Sequence, residues 1–303
     1  MNEARTKLEN IPGLKLDEPL ASHTTFQVGG SASFFLASND ISIIQKAAQL
    51  ATRAGLPVAA LGGGSNVLVA DAGFAGLIVN LTSTHCEVLP DGTIIADAGT
   101  VLSRVVRSAI SANLTGIEFA IGIPGSFGGG LAGNAGTGGH GISEFVKEIT
   151  YIDSKGELKT CSRAELDVSY RYTRFKYASS EIIVSGTLKL APGTPTDIQA
   201  KVREAVERRS WQPKGAWCAG CVFKNPSGGH AGKLIDQAGL KGKKIGGAMV
   251  STDHANFVVN TGNATAEDIV ILISYVKQQV RDQLGVQLEE EVRYLGFDSQ
   301  SLP

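Results

Sequence analysis

Hydrophobic residues recur at helical spacing in four segments of the chain, each with a polar opposite face. The first is an alanine-rich segment that Asn39 is predicted to cap and that ends at Gly55 and Pro57. The second is predicted to be capped by Thr100 and contains Leu102, Val105, Val106, Ala109 and Ile110. The third is a charged segment with Ile198, Val202, Ala205 and Val206. The fourth runs from the capping-box-like start Thr265–Asp268 to Gly285.

Short apolar runs between these helices predict strands at six places, which are Val58–Leu61, Val67–Ala70, Leu77–Leu81, Thr93–Ala98, Glu148–Asp153 and Ile182–Leu190. Strands and helices do not alternate regularly, as they would in a doubly wound sheet. The predicted class is therefore mixed α and β, of the α+β type. The turn-forming segment Ala191–Asp197 predicts a domain boundary near residue 191.

The composition argues against several classes of protein function. The 303 residues carry a formal net charge of −1, whereas proteins that bind nucleic acid or membrane surfaces usually carry a basic excess. The charged N-terminus lacks the apolar core of a signal peptide, and no apolar run approaches the length of a membrane span. Four cysteines do not form the pattern of a secreted disulfide framework. We expect a cytoplasmic protein.

Glycine is the outlier, at 37 residues, about twice the usual share of ~7%. One cluster is Leu61–Asn66, which follows an apolar strand. A dinucleotide fingerprint must open a helix, but here another strand follows, so a Rossmann helix is not predicted. Successive glycine N–H groups can still form an anion-binding nest.

The second cluster is Gly122–Gly136, with a run of ordering residues such as Pro124, Phe127 and Asn134 among its glycines. Those residues argue against a flexible linker. Close approach of the backbone to a phosphate-bearing ligand explains so many glycines better than a flexible linker does. From composition alone, the prediction stops at a nucleotide-like cofactor.

The segment Cys218–Pro226 contains the spacing CxxC, which is typical of zinc sites and of redox pairs. A zinc site needs about four ligands, and Cys86 and Cys161 are isolated. A thioredoxin-like pair lies at a strand-to-helix junction, whereas Phe223–Pro226 is typical of extended chain and turn. No metal site is therefore predicted.

Several segments, in order, resemble the UDP-N-acetylenolpyruvoylglucosamine reductase family. They are His23–Gly30, Gly62–Asn66, Gly122–Gly136, Ser169–Arg171, Ala219–Pro226, Leu234–Gly242, Ile245–Ala248, His254–Asn260 and Leu288–Arg293. The spacing between Arg171 and Phe223 leaves no room for the insertion of the family's longer branch, so the chain resembles the compact branch.

The resemblance implies an FAD-binding domain of the vanillyl-alcohol-oxidase (PCMH) type and a separate α/β substrate-binding domain. The corresponding boundaries are 1–190 for the FAD domain, with lobes at roughly 1–60 and 61–190, then 196–285 for the substrate domain. Residues 286–303 would form a C-terminal strand and tail that returns to the active site.

The reaction implied by the resemblance is reduction of UDP-N-acetylglucosamine enolpyruvate to UDP-N-acetylmuramate, with hydride from NADPH through non-covalent FAD. The partners implied are these two small molecules, with no nucleic acid or membrane, and the expected state is a monomer. The catalytic residues implied are Arg171 and Glu291, which act on the substrate carboxylate, and Cys221, which supplies a proton.

The resemblance also implies two binding sets. The FAD set is Gly62, Gly63, Gly64, Ser65, Asn66, Gly122, Ile123, Pro124, Gly125, Ser126, Gly128, Gly129, Asn134, Ala135 and Gly136. The substrate set is Tyr170, Lys224, Asn225, Gln237 and His254. His254 is equally compatible with a structural role.

Periodicity and the family motif disagree about the acidic triplet Glu289–Glu291. Strand alternation places Glu290 on the apolar face with Leu288 and Val292. The motif Leu-Glu-x-Glu-Val-Arg instead points to Glu291, and because its neighbours fix the register we follow the motif. Glu290 is then expected at a strand edge or bulge.

Two positions depart from the family pattern. The family has Ala-Tyr where this chain has Thr137-Gly138, so an aromatic side chain near the flavin is missing. The family's proton donor is usually serine, and here the position is Cys221. A thiol is a much stronger acid than a hydroxyl, so a lone working thiol is the interpretation we adopt, with Cys218 as a packing residue.

Two other functions fit parts of the pattern. A flavin oxidase of the same cofactor fold that acts on a sugar or lactone would need a covalent-flavin histidine or a different substrate domain. A non-catalytic flavin-binding regulator would be expected to lose Arg171, Glu291 or the proton donor, and the chain retains the first two.

Overall fold

A computed structural model describes residues 2–178, 180–213 and 215–298. Its α-helices are α1 (Asn2–Glu9), α2 (Ile41–Arg53), α3 (Leu102–Ser111), α4 (Phe127–Ala132), α5 (Pro195–Glu207), α6 (Ala231–Gln237) and α7 (Ala266–Leu284). All four helices predicted from periodicity are present, as α2, α3, α5 and α7. Across the described residues, no helix is both long enough and apolar enough to cross a bilayer.

The strands are β1 (Leu14–Pro19), β2 (Ser31–Ser38), β3 (Val58–Ala60), β4 (Val67–Val69), β5 (Phe74–Leu81), β6 (Cys86–Val88), β7 (Thr93–Asp97), β8 (Leu114–Thr115), β9 (Gly136–Thr137), β10 (His140–Gly141), β11 (Val146–Ile152), β12 (Leu158–Ser162), β13 (Ile182–Lys189), β14 (Ala191–Pro192), β15 (Lys244–Ile245), β16 (Ala248–Val250), β17 (Val258–Asn260) and β18 (Arg293–Leu295). The six predicted strands are present as β3, β4, β5, β7, β11 and β13.

The chain divides into two compact units. Unit 1 contains the described residues of 2–17, 33–63 and 75–210. It has a four-stranded sheet in the order β1-β2-β5-β3 and a five-stranded antiparallel sheet in the order β12-β11-β13-β7-β6. One hydrophobic core lies between α2 and the first sheet, and a second lies between α3, α4 and the five-stranded sheet.

Two helix caps in unit 1 differ from the prediction. Asp40, not Asn39, caps α2, because its carboxylate accepts the N–H groups of Ser42 and Ile43 at 2.8 and 3.3 Å. Thr100 does not cap α3. Its side chain is fully buried, and its hydroxyl donates to the carbonyl of His85 instead.

Unit 2 contains the described residues of 18–32, 64–74 and 211–298. One face of α7 lies in a single core with Phe223, Leu288 and Val292. The predicted capping box is confirmed at Thr265 and Asp268, and Gly285 ends α7 in the left-handed conformation with φ of 69°. The three-stranded sheet has the order β15-β16-β17, and β18 pairs with β4 in parallel.

The acidic triplet lies before β18, and no continuous strand covers it. Glu290 forms an isolated bridge with Phe223, and its carboxylate pairs with Lys277 at 2.5 Å. Both side chains are largely buried, at 19% and 16% exposure, whereas Glu289 is 73% exposed. Periodicity is therefore right that Glu290 faces the interior, and its ion pair with Lys277 explains why a carboxylate is there.

Candidate active site

Two glycine loops of unit 1 touch through bare backbone. A Cβ atom on Gly63 would lie 3.1 Å from Cα of Gly125, and one on Gly62 would collide with the hydroxyl of Ser126. Side chains at these positions would push the loops apart. Both Gly62 and Gly63 are exposed, so this contact presents main-chain atoms to solvent.

The second glycine loop continues into α4, whose first N–H groups are already used. Phe127 donates to the carbonyl of Thr100, Gly128 to that of Ala98, and Gly129 to the Ser126 hydroxyl. Gly128 is buried, and a Cβ there would meet Ala98, so packing also requires a glycine at this position.

The N–H groups of the loop contact itself are available to a ligand. Among the described residues, Gly62, Gly63 and Gly125 donate their N–H groups to no protein acceptor. Exposed backbone donors with no side chain over them suit a diphosphate, because such donors form an anion-binding nest. The residues present therefore fit FAD.

The end of the glycine-rich segment is fixed to the turn that carries Arg171. Asn134 is 8% exposed and adopts a left-handed backbone with φ of 46°. Its amide nitrogen donates to the carbonyl of Ser169 at 3.0 Å, and its amide oxygen accepts the N–H of Ser143 at 3.2 Å. Asn134 thus joins two predicted site segments within unit 1.

The missing aromatic has a local structural explanation. Strands β9 and β10 form a hairpin whose turn residues, Gly138 and Gly139, have φ of 64° and 88°. A tyrosine at position 138 would be strained in that conformation. The ring of His140 stacks on Phe119 at the same hairpin, with ring centroids 5.8 Å apart.

Arg171 lies at the tip of a tight turn. Ser169 and Tyr172 exchange two backbone hydrogen bonds of 3.1 Å, and Arg171 between them has φ of 58°. Its Nη1 donates to the carbonyl of Gly136, and its guanidinium lies 5.3 Å from the ring centroid of exposed Tyr170. The buried Lys176 donates to the Arg171 carbonyl at 3.0 Å, and sequence reasoning missed this lysine.

In unit 2, the segment that carries Cys221 lies between two other segments. On one side, Cys221 forms an isolated antiparallel β-bridge with Phe257, and the N–H of Val222 donates to the carbonyl of Asn256 at 2.8 Å. On the other side, the N–H of Glu291 donates to the Val222 carbonyl at 2.7 Å. Backbone pairing therefore brings Cys221 and Glu291 onto neighbouring segments.

Asn256 reinforces this arrangement and was also missed from the sequence. Its side chain is 3% exposed, accepts the N–H of Phe223 and donates to the carbonyl of the same residue, both at 2.9 Å. An asparagine in an apolar strand pattern was the available signal, since a buried amide needs partners.

The rest of the first glycine loop belongs to unit 2. Gly64 adopts φ of 60°, and a Cβ there would collide with the carbonyl of His23. The side-chain amide of Asn66 donates to the carbonyl of Glu291 at 3.1 Å, and the backbone carbonyl of Asn66 accepts the N–H of Arg293 at 2.9 Å. Asn66 thus supports the segment that contains Glu291.

All four cysteines are free thiols. Burial raises the pKa of the Cys218 thiol, partly offset by the N–H of Gly220, and its carbonyl accepts the hydroxyl of Thr25 at 2.6 Å. Across the described residues, no group of three or more His, Cys, Asp or Glu side chains could hold a metal ion.

The predicted substrate residues have different surroundings. The ammonium of Lys224 pairs with Glu289 at 3.2 Å. The side chain of Asn225 accepts the N–H of Ala231 at the start of α6, and Gln237 is exposed at the end of the same helix. His254 stacks on Trp211 with centroids 4.4 Å apart.

The Nδ1 atom of His254 accepts the N–H of Asn256 at 3.1 Å. Burial, and then the charge of Lys241, lowers the pKa of His254. The imidazole is therefore held neutral, with its proton on Nε2.

Comparison with known proteins relates both units to one family. Residues 212–295 match the model of the UDP-N-acetylenolpyruvoylglucosamine reductase C-terminal domain, and residues 32–162 match an FAD binding domain. A UDP-N-acetylenolpyruvoylglucosamine reductase of Geotalea uraniireducens is 41% identical over 94% of this chain and 95% of its own length. One of Listeria monocytogenes is 40% identical over 98% of this chain and 100% of its own length.

A solved structure gives the same result. The UDP-N-acetylenolpyruvylglucosamine reductase of Thermus caldophilus has 32% identity and a TM-score of 0.79 over 93% of this chain and 98% of that chain. These matches confirm the predicted FAD-binding fold of the vanillyl-alcohol-oxidase type with a separate C-terminal domain. This chain belongs to the UDP-N-acetylenolpyruvoylglucosamine reductase family and is an FAD-dependent oxidoreductase.

Proposed function

We propose that this protein reduces UDP-N-acetylglucosamine enolpyruvate to UDP-N-acetylmuramate, a peptidoglycan precursor, with NADPH as the reductant. The observation that carries the proposal is the bare-backbone contact between Gly62–Gly63 and Gly125–Ser126 in a chain of this family. The chemistry that bound FAD supplies is relay of hydride from NADPH to the β-carbon of the enolpyruvyl group.

The main-chain donors of Gly62, Gly63 and Gly125 would hold the diphosphate of FAD. The remaining residues of the predicted FAD set shape the two loops, since Ser126 caps α4 and Asn134 fixes the end of the glycine-rich segment. We propose non-covalent binding, because backbone amides hold anions without forming a bond to the isoalloxazine.

Arg171 would bind the substrate carboxylate. Its planar guanidinium can donate two parallel hydrogen bonds to a carboxylate, and it stabilises the negative charge that spreads there as hydride arrives at the β-carbon. The hydrogen bond to the Gly136 carbonyl orients the guanidinium before substrate binds. This orientation reduces the reorganisation needed during the reaction.

Cys221 would donate a proton to the α-carbon, which completes the reduction of the double bond, and the thiolate then regains a proton from solvent. Glu291 would polarise the substrate carboxyl group. The backbone bond between Glu291 and Val222 fixes the carboxylate's segment beside the thiol's segment.

Tyr170, Lys224, Asn225, Gln237 and His254 would bind other parts of the sugar nucleotide. The ammonium of Lys224 suits an anionic diphosphate. His254 is neutral and can donate only from Nε2, because Nδ1 accepts the Asn256 N–H. We further propose a cytoplasmic monomer that binds neither nucleic acid nor membranes, in keeping with a net charge of −1.

Anaerobic spectroscopy of the purified protein tests the proposal. NADPH should bleach the flavin absorption band, and the enolpyruvyl sugar nucleotide should restore it. Denaturation should release all flavin from the polypeptide. Flavin that stays attached, or that molecular oxygen reoxidises with a sugar or lactone as reductant, would instead indicate an oxidase. A band that NADPH cannot bleach would indicate a non-catalytic flavin-binding regulator.

A further inference from the structure

We propose that Lys176 is a positioning residue for the reaction, because its buried ammonium holds the backbone of Arg171 in a conformation that this residue would otherwise leave. The inference rests on the proposed function, in which Arg171 binds the substrate carboxylate. Lys176 itself touches no reacting atom in this proposal and acts only through Arg171.

The turn that carries Arg171 has a conformation that favours glycine. Ser169 and Tyr172 close the turn with two mutual backbone hydrogen bonds, and Arg171 is its third residue with φ of 58°. A four-residue turn with a positive φ at the third position usually has glycine there. A side chain in this conformation is strained, and such strain persists only where surrounding contacts hold it.

Lys176 supplies one of those contacts. Its side chain is 4% exposed, and Nζ donates to the Arg171 carbonyl at 3.0 Å. Its own N–H donates to the carbonyl of Thr173 at 2.9 Å, and the buried Thr173 hydroxyl donates to the Ala132 carbonyl at 2.9 Å. The lysine therefore approaches Arg171 from a segment that is itself tied to the end of α4.

Two further contacts hold the same turn. Asn134 donates to the Ser169 carbonyl at the base of the turn, and the Arg171 guanidinium donates to the Gly136 carbonyl. The turn is thus held at its base, at its tip and at the end of the arginine side chain. Without the bond from Lys176, Arg171 can relax towards a negative φ, and this rotation moves the guanidinium away from Gly136.

The chemical type of residue 176 also supports the proposal. Burial of an ammonium group costs free energy that an apolar side chain of similar length avoids. The Lys176 Nζ also lies 5.3 Å from the ring centroid of Tyr177, a cation–π contact that offsets part of this cost. A lysine kept in this position is explained by a hydrogen bond that an apolar side chain cannot make.

The test compares Lys176→Met with wild type in the FAD-loaded protein. Flavin reduction by NADPH should keep its rate, whereas reoxidation by the enolpyruvyl sugar nucleotide should slow by roughly 10- to 100-fold, the range expected when a binding group is displaced by about 1 Å. Calorimetry should also show weaker binding of UDP-N-acetylmuramate. Lys189→Met is the matched control, because Lys189 pairs with Asp91 at the surface of the same unit.

A double-mutant comparison separates positioning from simple structural support. If Lys176 acts through Arg171, then Lys176→Met should slow reoxidation little or not at all in an Arg171→Ala background. A further slowing equal to that seen in wild type would overturn the proposal, as would a wild-type rate for Lys176→Met. If Arg171→Ala itself reoxidises normally, the proposed role of Arg171 fails, and that result is distinct from a failure confined to Lys176.

Lys176→Gln replaces Lys176→Met in the same comparison if the methionine variant does not yield FAD-loaded protein. Failure of both variants to fold or to hold FAD would overturn the proposal, because the lysine would then support the fold rather than the arginine.

Discussion

The two units position their proposed catalytic groups in different ways. In unit 1, Arg171 lies on a strained turn that side chains hold, chiefly Lys176 and Asn134. In unit 2, the segment of Cys221 is held mainly by backbone hydrogen bonds to Asn256 on one side and to Glu291 on the other. A position held by backbone hydrogen bonds keeps its location when neighbouring side chains change, whereas a position held by neighbouring side chains depends on which residues those are.

This difference explains a feature of the sequence. The residue at position 221 is cysteine, where the resemblance leads us to expect serine, and the backbone pairing does not depend on which of the two is present. The turn of Arg171 is closed by backbone hydrogen bonds between Ser169 and Tyr172, but it also depends on the side chains of Lys176 and Asn134. Four predictions test the contrast.

The largest effect is expected from Cys221→Ala. Flavin reduction by NADPH should continue, and formation of UDP-N-acetylmuramate should slow by roughly 10²–10⁴-fold, because the general acid is lost while its segment stays in place. Cys221→Ser should remain active. It should also lose the fall in turnover at alkaline pH that ionisation of the thiol causes in wild type. Full activity of Cys221→Ala in stopped-flow measurements would mean that another group donates the proton.

Arg171→Ala and Glu291→Gln should each slow flavin reoxidation by roughly 10²–10³-fold and spare reduction by NADPH, since both groups act on the substrate's developing charge. The matched control is Glu290→Gln, which removes the ion pair between Glu290 and Lys277. We expect this control to lower thermal stability and leave both half-reactions close to wild type. A larger kinetic effect for Glu290→Gln than for Glu291→Gln would show that the choice of Glu291 is wrong.

Asn256→Ala tests a buried side chain that supports the backbone pairing of unit 2. It leaves the buried N–H and C=O of Phe223 without their partner, so the free energy of unfolding should fall by about 2–4 kcal/mol. Urea unfolding measures the change, with the exposed Asn263→Ala as control. A loss no larger than that of the control would show that backbone bonds alone hold the segment.

The smallest effect concerns His254 and pH. Burial lowers its pKa in the folded protein, so the neutral imidazole is favoured there. Its contribution to stability is therefore complete above the unfolded pKa of about 6.5 and is lost as pH falls through the folded pKa. His254→Phe keeps the ring and removes the titration. The difference in melting temperature between pH 7.5 and pH 5.5 should be smaller in this variant, and an unchanged difference would assign the acid sensitivity to other groups.

Much of the fold follows from local patterns in the sequence. The helix α7 has its capping box at Thr265, its apolar face and its terminal Gly285 in the sequence, and the structure has all three. The predicted capping residues of α2 and α3 are wrong. Asn39 and Asp40 are both good caps for α2, and the Thr100 hydroxyl makes a buried hydrogen bond instead of capping α3. The hydrogen bond of Thr100 depends on a residue 15 positions earlier, which the local pattern does not show.

The residues of the candidate site also fall into two groups, those that local sequence patterns reveal and those that only the fold reveals. The glycine clusters, the CxxC spacing and the position of Glu291 in its motif were visible as local patterns, because they involve residues that are close in sequence. Asn256 was visible only as a polar residue in an apolar segment, since its partner Phe223 lies 33 residues away, and the burial of Lys176 was not visible at all. A lysine in Arg174–Tyr177 is typical of a surface, and only the folded chain buries its ammonium against the Arg171 carbonyl. Tertiary structure decided these roles because a buried polar group takes its function from partners that the fold brings to it.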